Sequence, residues 1–409
     1  MTVTAPPRPP PQAEPVKPEE QEALIKEARR RARLRRLRNG AAAVAAAAIA
    51  IGTFAAWHAG RNGTNANAAA KPTPLPTPKP VPLRPPPRNG EIAAVKGNDL
   101  VALRPDGSGA RTLTACPGKV GDCNFGTFSW SPDGRMLAFL AGHFGGAITL
   151  ANLSLYAVGA EGSLPRLLAR CGDCNGYQQL SWSPDGRRVL FSADNGLFIV
   201  NVSSGLLHRL DVPPADRAAM DGPGVGTSGV WSPSGSRIAF AARDGLYTAR
   251  RDGSGVARIV SRSGLSDPKW SPDGTKLAFD GADSIYVVDA DGSHLKLLLD
   301  GSFGSGPGVP AWSPDGRRIL YFYTPGSPNQ FRGQVWSMGA DGSDRVLLYN
   351  GDCCVGAWSP PIWSPDGGQI AISGVTENTG IAVMDTRGQH RRKLLDLPSA
   401  LAWQPLPRD

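Results

Sequence analysis

Three pairs of cysteines hold the most reactive side chains of this 409-residue sequence: Cys116 and Cys123, Cys171 and Cys174, and the adjacent Cys353 and Cys354. A thiolate is a nucleophile and a soft metal ligand, and two thiols can close a disulfide. Cys171-Gly-Asp-Cys174 has the C-x-x-C spacing of redox and zinc sites, yet no βαβ pattern surrounds it and no second C-x-x-C supplies two more ligands. The even count favours disulfides. Cys116–Cys123 and Cys171–Cys174 are the simplest pairings. Cys123–Cys174 is an alternative, and Cys353–Cys354 is either a vicinal bridge or two free thiols.

The remaining chemistry-bearing residues form no constellation. His58, His143, His208, His294 and His390 show no H-E-x-x-H or other metal spacing. Asp289 and Asp291 sit in an Asp-Gly turn that resembles a calcium loop only locally, because no Glu follows at the distance a bidentate ligand needs. No G-x-S-x-G pentapeptide occurs, so a serine-hydrolase elbow is not expected. The sequence therefore predicts no catalytic residue, no metal and no cofactor.

The elements that position these residues come from a repeat. Trp-Ser-Pro-Asp-Gly begins at Trp130, Trp182, Trp270, Trp312 and Trp363, with WSPSG at Trp231 and a remnant WQP at Trp403. Successive spacings are 52, 49, 39, 42, 51 and 40 residues, the period of propeller blades. Each Trp closes one strand, and Pro-Asp-Gly makes a tight turn: Pro fixes φ, Asp bonds the backbone, and Gly accepts positive φ. The structural residues are thus Asp133 and Gly134, Asp185 and Gly186, Asp273 and Gly274, Asp315 and Gly316, and Asp366 and Gly367. An alternating strand such as MLAFL or KLAFD follows, then a third such as SIYVVD, a second turn such as DADGS, and a short fourth strand. Residues 91–114 lack a first strand and residues 399–403 supply one, so the C-terminal strand is expected to complete the N-terminal blade. That count gives an all-β, seven-bladed β-propeller over 91–409, with six blades as the alternative.

The repeated WSPDG, the following xLAF strand and the DADGS turn resemble the TolB-like (WD40-like, PD40) propeller repeats, found also in the N-terminal domains of prolyl oligopeptidases and dipeptidyl peptidases. The resemblance covers residues 91–409 and implies a propeller that binds or scaffolds. TolB proteins of the Pal-associated system carry an α/β domain before the propeller. A different segment stands there in this chain.

That segment reads as a membrane anchor. Residues 1–39 are a disordered, Pro-rich start followed by a basic helix in which seven of residues 29–38 are Arg. Residues 41–57 carry no charge, and 40–60 are read as one transmembrane signal anchor, at the short end for a ~30 Å core. The Arg cluster holds the N-terminus in the cytoplasm and sends the body outward; a cleaved signal peptide is the alternative. Residues 61–90, with nine prolines between Pro72 and Pro87, form an extended stalk. Residues 1–39 hold ten Lys/Arg against five Asp/Glu and residues 40–90 hold five against none, so the first 90 carry +10. The rest holds 29 Lys/Arg and 30 Asp/Glu, a net of −1, which leaves no electrostatic footprint for nucleic acid.

All the cysteines and the longest loops fall at one end of the propeller, where Phe144, Tyr177, Phe303, Tyr323, Phe331 and Trp358 are candidate contacts. The expected function is a membrane-anchored, extracytoplasmic binding or scaffolding module of the cell envelope. Its partner is an envelope protein, a peptide or a glycan. Two alternatives remain: an exported propeller enzyme of lyase, lactonase or cyclotransferase type with its site at the channel mouth, and a sensor relaying occupancy through the Arg-rich helix.

Overall fold

The computed structural model describes residues 80–82, 87–117, 124–144, 150–171, 179–193, 196–210, 228–281, 284–301, 307–323, 333–351, 360–374, 380–396 and 400–407. The chain divides into Met1–Lys71 and Pro72–Asp409, and every described residue lies in the second unit. The proposed anchor at 40–60 lies outside them.

The described residues form seven four-stranded antiparallel sheets. Blade 1 contains β1 (Arg88–Lys96), β2 (Asp99–Leu103) and β3 (Arg111–Ala115). Blade 2 is β4 (Asn124–Trp130), β5 (Met136–Phe144), β6 (Leu150–Gly159) and β7 (Arg166–Arg170); blade 3 is β8 (Leu180–Trp182), β9 (Arg188–Ala193), β10 (Gly196–Asn201) and β11 (Leu207–Arg209). Blade 4 is β12 (Ser228–Trp231), β13 (Arg237–Ala242), β14 (Gly245–Arg250) and β15 (Ala257–Ser261). Blade 5 is β16 (Leu265–Trp270), β17 (Lys276–Gly281), β18 (Ile285–Asp289) and β19 (Lys296–Leu299). Blade 6 is β20 (Pro307–Trp312), β21 (Arg318–Tyr323), β22 (Gly333–Gly339) and β23 (Val346–Gly351), and blade 7 is β24 (Ile362–Trp363), β25 (Gln369–Ser373), β26 (Ile381–Asp385) and β27 (Arg392–Leu395).

The last strand, β28 (Leu401–Leu406), pairs with β1 and completes blade 1, through Ile92↔Trp403 and Ala94↔Leu401 among others. The innermost strands β28, β4, β8, β12, β16, β20 and β24 touch in that order and close on themselves. Seven blades are present, and β28 gives blade 1 the fourth strand that the other six have. Gln404 locks the seam: its Nε2 donates to Gly134 O at 2.7 Å and its Oε1 accepts from Glu91 N at 2.9 Å.

In blades 2 to 5 the second strand carries a Phe with no or almost no exposure, and the third carries its cross-strand aromatic partner. Phe139–Tyr156, Phe191–Phe198, Phe240–Tyr247 and Phe279–Tyr286 stack with centroids 5.2–5.6 Å apart. Each pair sits directly opposite in the register, where such contacts add about 0.5–1.5 kcal/mol beyond burial.

The motif turns repeat atom for atom. Ser131 Oγ donates to Asp133 Oδ1 at 2.6 Å, the same oxygen accepts from Arg135 N, and Met136 N donates back to Ser131 Oγ. Ser183–Asp185, Ser271–Asp273, Ser313–Asp315 and Ser364–Asp366 share that bond. The WSPSG variant keeps a weaker form, with Ser232 and Ser234 hydroxyls 3.1 Å apart. Gly134 is needed twice over, since its φ is +68° and a Cβ there would meet Pro405 O at 2.2 Å.

The topology gives the ring two different ends. First-to-second and third-to-fourth connections lie at one, the turn end; second-to-third connections and those between blades lie at the other, the loop end.

Candidate functional site

The indoles of the motif tryptophans clasp successive blades. Trp182 Nε1 donates to Ser129 O at 2.9 Å, Trp270 to Val230 O at 3.4 Å, Trp312 to Lys269 O at 3.1 Å, and Trp363 to Ala311 O at 3.1 Å. Each acceptor is the carbonyl just before the preceding blade's Trp. The indole nitrogens of Trp130, Trp231 and Trp403 are buried without a partner among the described residues. The motif Trp is therefore a joint between blades and does not present itself to a ligand.

Residues one and three positions before each Trp lie on or beside the innermost strands, next to the axis. The first set is Ser129, Ser181, Val230, Lys269, Ala311, Ile362 and Ala402, all but Ala402 part-exposed. The second is Thr127, Gln179, Ser228, Asp267, Val309, Pro360 and Ala400. Blades 3, 4 and 5 carry the polar members that meet. Gln179 Nε2 donates to Asp267 Oδ1 at 3.3 Å, joining blade 3 to blade 5 past blade 4, which requires a path across the inside of the ring. Ser228 Oγ of blade 4 accepts from Asp267 N at 2.8 Å.

A bulge between Ser266 and Lys269 aims Asp267, whose φ is +50°. Such a conformation costs a non-glycine residue on the order of 1 kcal/mol and persists only where the surroundings enforce it. Because a carboxylate only accepts, the Gln179 amide presents its NH₂ to Asp267. Its Oε1 is left buried and without a partner. One pleat toward the turn end, the Lys269 ammonium makes no hydrogen bond or ion pair with a described residue. Burial pushes its pKa down, against the pull of the Asp267 charge. Asp267 and Lys269 are the only ionisable residues in the two sets.

The sequence reading did not single out Gln179, Ser228, Asp267 or Lys269. The available signal was positional: Asp267-Pro268-Lys269 interrupts small or apolar residues at matching distances from each Trp.

Of the predicted contact residues, Tyr323 is part-buried and packs against the cluster that Ile285, Leu298, Ile319, Tyr321 and Met338 form between blades 5 and 6. Phe144 ends β5 at the loop end. Tyr177, Phe303, Phe331 and Trp358 lie outside the described residues. Cys116 and Cys171, both buried at the loop end, are each disulfide-bonded. Cys123, Cys174, Cys353 and Cys354 lie outside the described residues. Asp289 hydrogen-bonds Lys276 and His294, and Asp291 accepts from Ser293 N, as turn and salt-bridge groups do. His390 likewise bonds Asp385 at 2.8 Å. Among the described residues no three His, Cys, Asp or Glu gather as a metal site.

Comparison with known families matches residues 181–362 to PD40, the TolB beta propeller domain. The match covers blades 3 to 6 and less than half of the chain, so those blades resemble that domain. Among solved structures, TolB from Acinetobacter baumannii is 22% identical with a TM-score of 0.44, over 64% of this chain and 64% of that one, so this chain spans less than two thirds of its length. An oligogalacturonate lyase in complex with manganese is 16% identical with a TM-score of 0.52, over 76% and 84%. A protein described as a 6-phosphogluconolactonase, from Bacteroides uniformis, is 14% identical with a TM-score of 0.52, over 77% and 100%. At these identities the likeness is one of fold. No curated protein sequence matches the chain.

Proposed function

We propose that this chain is a membrane-anchored binding module of the cell envelope, displaying a TolB-like propeller whose loop end receives the partner. The observation that carries the reading is where the chain joins the ring. Strand β1 starts at Arg88 at the turn end, and Asn89 Oδ1 accepts there from Asp366 N in a motif turn. Val81, within the Pro-rich segment, donates its N–H to Asp273 O at 2.8 Å in the motif turn of blade 5, also at the turn end. A tether that joins at the turn end leaves the loop end free.

Support for the anchor itself is the uncharged stretch 41–57 behind its Arg cluster. Among the described residues no helix is long and apolar enough to cross a membrane, and the stretch lies outside them. An envelope protein, peptide or glycan remains the partner class.

The test uses the full chain in intact cells, with a photo-crosslinking residue at exposed Ser263 of the loop end or exposed Glu161 of the turn end. Adducts from position 263 and none from 161 are expected. Adducts from 161 alone would overturn the assignment of the binding face.

A further inference from the structure

We propose that the turn end of the ring rests on an anionic phospholipid surface, with exposed leucines of the outer turns entering the headgroup layer and nearby Arg and Lys side chains meeting the lipid phosphates. This rests on the reading that the chain is tethered to a membrane, and it names the surface that the turn end faces.

The first observation is where apolar side chains are left in the open. Among the described residues, every exposed large hydrophobic side chain stands at the turn-end start of a fourth strand or in the turn before it. Leu164, Leu206 and Leu295 lie in those turns at 93%, 71% and 47% exposure, and the other four are among the first two residues of β7, β19 and β23. Single exposed leucines are ordinary, but random scatter would place some at the loop end. Fourth strands pair only with third strands, so these residues edge the outer rim. They come from blades 2, 3, 5 and 6, on both sides of the ring, at the same step of each blade. A flat surface meets all of them together, whereas a compact protein partner reaches one side.

The second observation is charge. The turns of the turn end, each taken with the strand residue on either side, hold 17 Lys/Arg against 13 Asp/Glu. Loop-end connections taken the same way hold 8 against 13. A ring of almost no net charge is thus polarised along its axis, positive toward the tether. Arg166 follows Leu164 by two residues, Lys296 follows Leu295 directly, and Arg345 precedes Val346. Apolar side chains beside Lys or Arg suit an anionic interface, since the first enter the boundary while the cations stay level with the phosphates. The tether reaches this end twice, through β1 and through Val81 on the Asp273 carbonyl, which brings this face toward the bilayer.

The test is hydrogen exchange by mass spectrometry on the full chain in lipid nanodiscs, made either of phosphatidylcholine alone or of phosphatidylcholine and phosphatidylglycerol in equal parts. Amides of 161–164 and 203–206 should exchange about tenfold slower in the anionic discs than in the neutral ones, while 243–244 and 262–264 of the loop end exchange alike in both. Leu164→Ser, Leu206→Ser and Leu295→Ser combined should abolish the difference, and raised salt should shrink it. All three side chains are exposed, so the urea midpoint of this variant should match the parent. Equal exchange at the turns in the two discs, slower exchange at the loop end instead, or a combined variant that keeps the protection would overturn the proposal. A high-salt wash of the discs reads the anchor separately. A chain that stays with the discs without protected turns refutes the docking and leaves the anchor standing; one whose turns are protected and that is then washed away supports the docking without the anchor.

Discussion

Replacing Trp182 and Trp231 separately by Phe isolates the indole clasp. Both tryptophans are nearly fully buried, at 7% and 4% exposure, and both end an innermost strand ahead of the motif turn. Trp→Phe removes the same volume and apolar surface at each, so the cavity and transfer costs are closely matched. The polar costs differ. At Trp182 the change deletes a 2.9 Å hydrogen bond to Ser129 O and strips a carbonyl of its donor. That loses about 1 kcal/mol of net hydrogen-bond stability. At Trp231 no bond is lost, and a buried donor without a partner disappears, which returns about 1 kcal/mol or more. Trp182→Phe should therefore destabilise the propeller by about 2 kcal/mol more than Trp231→Phe. Urea unfolding followed by circular dichroism measures both against the parent, with equal slopes required for the comparison. Equal losses, or a larger loss at Trp231, would refute the clasp as a contributor to ring stability.

Other consequences follow from the same structure. Gln404→Ala removes both seam hydrogen bonds and leaves Gly134 O and Glu91 N unpaired, so a loss of about 2–3 kcal/mol is expected by urea unfolding. Acid should unfold the ring progressively below pH ~4. The Ser183 hydroxyl holds the Asp185 carboxyl below its ordinary value, and at Asp273, Asp315 and Asp366 the turn hydrogen bonds outweigh burial, which alone would raise it. Carboxylates with depressed native pKa values contribute stability above the unfolded value and lose it as pH falls, so Asp185→Asn should flatten the acid limb of the stability curve. Denatured but unreduced protein treated with iodoacetamide should stay unmodified at Cys116 and Cys171 and become modified after reduction, as peptide mass mapping will report.

Propeller and blade count were legible because each repeat carries its own reason for being where it is. Trp, Ser, Pro, Asp and Gly each do a local job in one turn, and the missing first strand before residue 91 could be closed only by the strand at Trp403. The axial quartet was not legible for the opposite reason. Gln179 and Asp267 are 88 residues apart and meet only because the ring closes, and the aim of Asp267 depends on a bulge that its sequence does not announce. Tyr323, at the end of a strand beside a long connection, is part-buried and packs, like Trp312 and Trp336, against the cluster between blades 5 and 6. The bond from Val81 to Asp273 was hidden as well, since a stretch of alternating prolines reads as a solvated stalk.

Trypsin added to spheroplasts that carry the full chain, with an epitope fused before Met1, tests display on an anchor most directly. Arg61 and Arg88, at the two ends of the Pro-rich segment, are the cleavage sites, since Lys71, Lys79 and Arg84 each precede a proline and resist trypsin. The account predicts that the folded propeller is released to the supernatant while the epitope stays with the membrane and intact until the cells are lysed. A chain that resists trypsin until lysis, or that is recovered whole in the soluble fraction, would contradict it.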